Sequence, residues 1–175
     1  MFRILTVALA ALTLAGCQPK STTQAQGQDG PRGPVVADQS AASKAFLAKN
    51  AKQPGVVVLP DGLQYKVVHS GPAAGNKPHA QDEVKVNYEG KLIDGTVFDS
   101  SFERGQPAAM PLNHLVKAWQ EAIPMMRPGD EWILYVPPEL GYGAEGQGPI
   151  PPGAVLIFRI QLIDFLPAPG TVQQG

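Results

Sequence analysis

An α+β fold, with an antiparallel sheet and one short internal helix, is predicted by three features of the sequence. Val84, Val86 and Tyr88 alternate with Lys85, Asn87 and Glu89, the period-two signature of a half-buried strand. Asp94-Gly95 stands between Leu92-Ile93 and Thr96-Val97-Phe98, a tight-turn signal joining two strands. Leu115, Trp119, Ala122 and Ile123 recur at helical spacing and build a single apolar face. Pattern alone carries the argument to α+β and no further.

The elements follow in order. Ser40 to Asn50 reads as a short helix, because Ala and Lys favour it; Asn50 can end it, and Pro54-Gly55 marks the break. Leu63, Tyr65 and Val67 alternate with other residues and predict the first strand, ahead of those around Val84–Tyr88 and Thr96–Phe98. For the helix that carries Trp119, Asn113 is the predicted cap at the start. Pro124 ends this helix early, since proline disfavours helical geometry in the residue before it. Glu131 to Val136 and Val155 to Phe165 complete the strands, the last one long and mostly apolar.

Composition narrows the function. The 175 residues suffice for one ordinary domain plus a tail, and 43% apolar content suits a globular core. Net charge is −1, from 14 basic and 15 acidic residues with no block of like charge, so nucleic acid is not an expected partner. Met1-Phe2-Arg3 followed by the apolar run Ile4 to Leu14 fits a signal-peptide core, too short for the roughly 20 residues a bilayer span takes. Leu14-Ala15-Gly16-Cys17 resembles the bacterial lipobox, in which small residues fit a narrow peptidase site and the thiol then carries lipid. Cys17 is the sole cysteine, so no internal disulfide can form. Residues 1–17 are thus expected to be a lipoprotein signal peptide, with the mature chain held at a membrane of the bacterial envelope, facing the periplasm or exterior. Residues 18–38 are rich in Gln, Ser, Thr, Gly and Pro and read as a flexible tether. Residues 39–62 would hold the short helix and a lead-in segment, residues 63–166 the main domain, and residues 167–175 a disordered tail.

Five blocks carry the functional reading: Val84–Gly90; Asp94-Gly95-Thr96-Val97-Phe98-Asp99-Ser100-Ser101; Leu115–Trp119; Pro137-Pro138-Glu139-Leu140-Gly141-Tyr142-Gly143; and Ile150–Phe158. In this order and at these spacings they resemble the FKBP-type peptidyl-prolyl cis-trans isomerases, specifically the lipoprotein type of the bacterial envelope. The resemblance implies a β half-barrel wrapped over one short helix. It implies a prolyl pocket with Trp119 as floor, Tyr88, Phe98 and Phe158 as walls, and Leu115, Val116 and Ile150 completing it. By the same resemblance, the Val116 backbone N–H and the Tyr142 hydroxyl would donate to the bound chain. Asp99 would sit at the pocket edge, oriented together with the Tyr88 hydroxyl by Arg104. Asp99, Tyr142, Phe98 and Trp119 are then the catalytic candidates, and the substrates are proline-containing polypeptides.

Taken singly, each of these residues has a plainer reading: the aromatics as core, Asp99 as a solvated turn carboxylate, Tyr142 as a loop tyrosine. Their co-occurrence is what favours a site. Ala108 departs from the family, falling where relatives commonly place a large wall residue, with Met110 near enough to refill the gap. Inhibition by FK506-type macrolides is implied by the resemblance. Relatives with long N-terminal helices dimerise through them; one short helix here predicts a monomer. The alternative is a chaperone or peptide-binding module that uses the same groove with little or no catalysis.

Other chemistry lacks its residues. His69, His79 and His114 have no metal-ligand spacing, so no metal is expected. Ser100-Ser101 has no histidine in a triad-like motif, and no glycine loop cradles phosphate. No cofactor is expected.

Overall fold

The structure is a computed structural model of the chain and describes residues 37–169. The expected signal segment, Cys17 and the tether up to residue 36 lie outside the described residues, as does the tail from residue 170. Seven strands are present among the described residues: β1 (Val56–Val58), β2 (Gln64–His69), β3 (Glu83–Lys91), β4 (Val97–Ser100), β5 (Ala108–Pro111), β6 (Glu131–Val136) and β7 (Leu156–Leu166). They form one sheet in the order β1-β2-β6-β7-β3-β4, with β5 also paired to β3, and every pairing is antiparallel. Two helices, α1 (Ser40–Asn50) and α2 (Lys117–Ala122), complete the α+β fold. No described helix is long and apolar enough to cross a membrane.

β3 organises the sheet. One edge pairs along its whole length with β7, from Glu83–Leu166 to Lys91–Ile157. The other edge is shared: Glu83–Val86 pair with β5, and Glu89–Lys91 pair with β4. Tyr88 therefore stands where that edge divides and the connecting chain leaves the sheet. Its alternating neighbours Val84 and Val86 are fully buried, as the period-two pattern requires. The Asp94-Gly95 turn closes β3 onto β4, with the Gly95 N–H bonded to the Leu92 carbonyl at 3.0 Å.

The inner face of the sheet buries its apolar residues against α2. Trp132, Leu134 and Val136 from β6 and Leu156, Phe158, Ile160 and Leu162 from β7 meet Trp119, Ala122 and Ile123 in one core. Burial of such side chains contributes roughly 1.5–3 kcal/mol each. α2 ends at Ala122, and Pro124 follows in a 3-10 turn over Ile123–Met125, as expected of proline.

Its start differs from expectation. Val116 precedes the first helical residue and no side chain caps it; Asn113 lies back in a 3-10 turn, Leu112–His114, and donates to Gln81 Oε1 at 3.1 Å. An N-cap accepts through its side-chain oxygen from the first helical turn, and Asn113 lies three residues ahead of the cap position at Val116, in a turn of its own.

β2 departs too. Leu63 is fully buried, but Tyr65 is only partly so and Val67 is 42% exposed. A helix of six residues reaches about 9 Å, whereas strands lie about 4.8 Å apart, so α2 cannot cover a sheet this wide. Tyr65 instead stacks on Trp132, ring centroids 4.5 Å apart and planes 11° from parallel. The short strands β1 and β5 carry no alternation that would have revealed them.

α1 packs on the opposite face of the sheet from α2. Phe46 lies 6.0 Å from Tyr135, whose neighbours Leu134 and Val136 point to the core. Its two buried side chains, Ser43 and Asn50, are both polar, so hydrogen bonds rather than an apolar stripe seat this helix.

Candidate active site

A cavity of about 670 Å³ opens between the C-terminal half of β3, β4, α2 and the segment from Tyr142 to Ile150. Its floor and three of its walls are aromatic rings set edge to face. Tyr88 and Trp119 lie 5.2 Å apart at 84°, Trp119 and Phe158 5.2 Å apart at 86°, and Phe158 and Phe98 5.6 Å apart at 89°. Perpendicular rings bring positive edges onto negative faces, which stabilises each pair by roughly 0.5–1.5 kcal/mol beyond burial. Trp119 is 3% exposed, so it can offer a ligand only the surface that faces the cavity.

The local chain explains how these rings meet. Gly90, beside Phe98 and Phe158, has no side chain; a Cβ there would lie 2.6 Å from the Phe98 ring and 2.8 Å from the Phe158 ring. Only glycine permits that approach. The fully buried Ser101 fastens the split edge of β3: its Oγ accepts the Tyr88 N–H at 2.8 Å, and its own N–H donates to the Tyr88 carbonyl at 2.9 Å.

Asp99 stands at the rim with both oxygens engaged. The Tyr88 hydroxyl donates to Oδ2 and Arg104 Nη1 donates to Oδ1, while Arg104 Nη2 reaches the Tyr88 hydroxyl at 3.0 Å. The guanidinium also lies 5.5 Å from the centre of the Tyr88 ring. Partial burial opposes ionisation of Asp99, but the hydrogen bonds from Tyr88 and Arg104 and the guanidinium charge outweigh it, holding the carboxyl below its ordinary pKa. Burial, and then the bond to Asp99, raise the Tyr88 phenol. At neutral pH the rim carries a carboxylate and a neutral phenol, and neither is poised to exchange a proton.

Two donors on residues that line the cavity are unspent. The Val116 N–H and the Tyr142 hydroxyl have no acceptor among the described residues, although both residues line the cavity. Gln120 fixes the turn that presents Val116, its Nε2 donating to the Leu115 carbonyl at 2.7 Å. All the catalytic and binding candidates read from the sequence line the cavity except Arg104, which acts on the rim through Asp99 and Tyr88; the lipid-attachment candidate Cys17 lies outside the described residues. Met110 forms a wall, whereas Ala108, paired with Val86, does not reach the cavity. The sequence reading did not assign His114, Gln147, Gly148 or Pro149 to the site, yet all four line it. His114 directly precedes the Leu115–Val116 block, which was the available signal; the other three fall in a loop without regular pattern. Among the described residues, no group of three His, Cys, Asp or Glu side chains could hold a metal.

A model of the FKBP-type peptidyl-prolyl cis-trans isomerase matches residues 74–163, just over half of the chain. The chain belongs to this family. A second model, for the domain amino-terminal to such isomerases, matches residues 13–67. Among relatives, this FKBP is 55% identical over 122 residues to the peptidyl-prolyl cis-trans isomerase Mip of Coxiella burnetii, covering 69% of this chain and 52% of Mip. It is 46% identical over 127 residues to the outer membrane protein MIP of Legionella longbeachae, covering 72% of this chain and 54% of that protein. The crystal structure of FkpA from Escherichia coli superposes with a TM-score of 0.72 at 41% identity, covering 77% of this chain and 62% of that one. This FKBP spans about half the length of the curated relatives it matches.

Proposed function

We propose that this FKBP accelerates cis–trans isomerisation of X-Pro bonds in proteins folding in the bacterial cell envelope. The observation that carries the reading is the edge-to-face set Tyr88–Trp119–Phe158–Phe98 around a cavity with two unspent donors at its margin. An X-Pro amide turns over a barrier of about 18–20 kcal/mol and takes tens of seconds or longer unaided. The planar amide is stabilised by charge-separated resonance, which the twisted transition state has lost. A water-poor aromatic cavity disfavours the planar form relative to the twisted one and so binds the transition state more tightly. No covalent step is needed.

The residues divide the work. Trp119, Phe98, Tyr88 and Phe158 enclose the prolyl ring, with Leu115 and Ile150 filling the sides. The Val116 N–H and the Tyr142 hydroxyl donate to carbonyls of the bound chain and hold its ends while the amide turns. Asp99, kept ionised by Tyr88 and Arg104, is a fixed negative edge beside the rotating carbonyl. Macrolides of the FK506 type would compete for the same walls. Attachment through lipid on Cys17 would keep a monomeric domain beside its clients, and a tether of about twenty residues allows a reach of a few nanometres.

The test follows cis-to-trans conversion of a short X-Pro-Phe peptide with the wild-type chain and with Asp99→Val and Phe98→Ala variants. Acceleration that falls at least about ten-fold in both variants, each still folded, is the expected result, since about 1.4 kcal/mol of lost transition-state binding suffices. Wild-type protein that binds the peptide without accelerating its conversion would replace catalysis with a binding role. For the anchor, detergent-phase partition should fall on Cys17→Ser substitution; equal partition would refute it.

A further inference from the structure

We infer that Ser43, in a helix that precedes the matched isomerase segment, is a positioning residue for the loop wall of the pocket. The inference takes from the proposed function only that the cavity receives a proline-containing peptide.

α1 is seated by two buried polar side chains that do different work. Near its C-terminus, Asn50 Nδ2 donates to Gln64 Oε1 at 2.9 Å and Gln64 Nε2 donates to the Leu47 carbonyl at 3.0 Å. That pair ties the helix to β2, and none of these residues lines the cavity. One turn in from the N-terminus, Ser43 is 1% exposed and its hydroxyl is used twice. It donates to the Gly153 carbonyl at 2.6 Å and accepts the Val155 N–H at 2.9 Å. The Gln39 N–H adds a bond to the Pro152 carbonyl at 2.9 Å. The helix thus grips residues 152, 153 and 155, directly after the cavity wall at Ile150.

The grip reaches the other end of the loop as well. The Gly153 N–H donates to the Gly143 carbonyl at 3.0 Å, next to Tyr142, and Gln147 and Ile150 exchange bonds of 3.0 and 2.9 Å in between. Gly153 has a φ of +66°, and a Cβ on it would fall onto Ser40 Oγ and within 2.8 Å of Asp38 Oδ1. The start of α1 therefore rests on the loop with no space between them.

Removing the Ser43 hydroxyl would leave a buried N–H at Val155 and the Gly153 carbonyl without partners. Buried backbone groups rarely stay unpaired, so the loop would move to reach water. That movement would carry Ile150 and Tyr142 away from the aromatic walls. Removing the Asn50 amide loosens the same helix at its far end and leaves the loop clipped.

The experiment compares Ser43→Ala and Asn50→Ala in the full chain. Affinity for the tetrapeptide Ala-Leu-Pro-Phe is measured by NMR titration, and amide hydrogen exchange is followed across residues 143–155. Ser43→Ala should weaken peptide binding about five-fold and speed exchange in that segment, while Asn50→Ala stays within about two-fold of wild type. Unchanged affinity in Ser43→Ala, or an equal loss in both variants, overturns the inference. An isomerisation assay run alongside separates the two ideas: wild type that binds without accelerating removes the catalytic reading but leaves the affinity comparison valid. Wild type that fails to bind the peptide overturns both.

Discussion

The two sides of the pocket are built by different physics. On the sheet side, Tyr88, Phe98, Trp119 and Phe158 interlock as perpendicular rings over an apolar core. On the loop side, Tyr142 and Ile150 belong to a segment without a strand or an α-helix of its own; Ile150 is buried in that core, and backbone bonds and the Ser43 clip hold the rest of the segment. Packing depends steeply on volume, whereas a few hydrogen bonds depend on whether partners stay paired. Substitutions on the sheet side should therefore act through stability and activity together, whereas loss of an unspent donor on the loop side should act through activity alone.

The largest effect is expected at the floor. Trp119→Ala removes the ring that two others pack against, and should destabilise the fold by about 3–5 kcal/mol, measured by urea unfolding. A loss below 1 kcal/mol would mean that the floor is not part of the core. Gly90→Ala should follow, with about 1–3 kcal/mol of overpacking and a displaced Phe98, because the added methyl meets two rings at once. Thermal unfolding and the Phe98 ring resonances report it, and wild-type values for both would show that the rings yield easily.

On the loop side, Tyr142→Phe should lower isomerisation about five-fold while the unfolding midpoint stays unchanged, since only an unspent donor is lost. A matching drop in stability would erase the contrast between the two sides.

The smallest effect concerns pH. Glu121, on α2, has its pKa raised to about 7, first by its hydrogen bond with Asp61 and then by partial burial. Because the folded value lies above the unfolded one, the stabilisation is complete below the ordinary glutamate value of about 4.3 and fades as pH rises through about 7. Glu121→Gln keeps a donor for Asp61 and should flatten the dependence of the unfolding temperature across that window. A persistent slope would assign it to another group.

How much of this was legible in the sequence follows the same division. Val84, Val86 and Tyr88 declared their strand because burial of one face imposes a two-residue period on the residues themselves. The Asp94-Gly95 turn and the stop at Pro124 were equally local. The cap at Asn113 was misassigned because a separate 3-10 turn, Leu112–His114, takes up that residue and the helix begins only at Lys117. Val67 keeps the two-residue period of its strand, but the breadth of the sheet against a six-residue helix leaves it exposed. His114 and Gln147–Pro149 became pocket residues only through the folding of their loops.

By itself the sequence determined the strand periods, the turn, the helix-ending proline and the set of aromatic residues, because each is written within a few neighbouring positions. The tertiary structure alone decided that Tyr88 sits at a divided sheet edge, that Gly90 makes space for two rings, and that Ser43 holds a loop 110 residues further along the chain. Those outcomes depend on which distant segments come together, and a buried hydroxyl has no partner, and so no role, until they do.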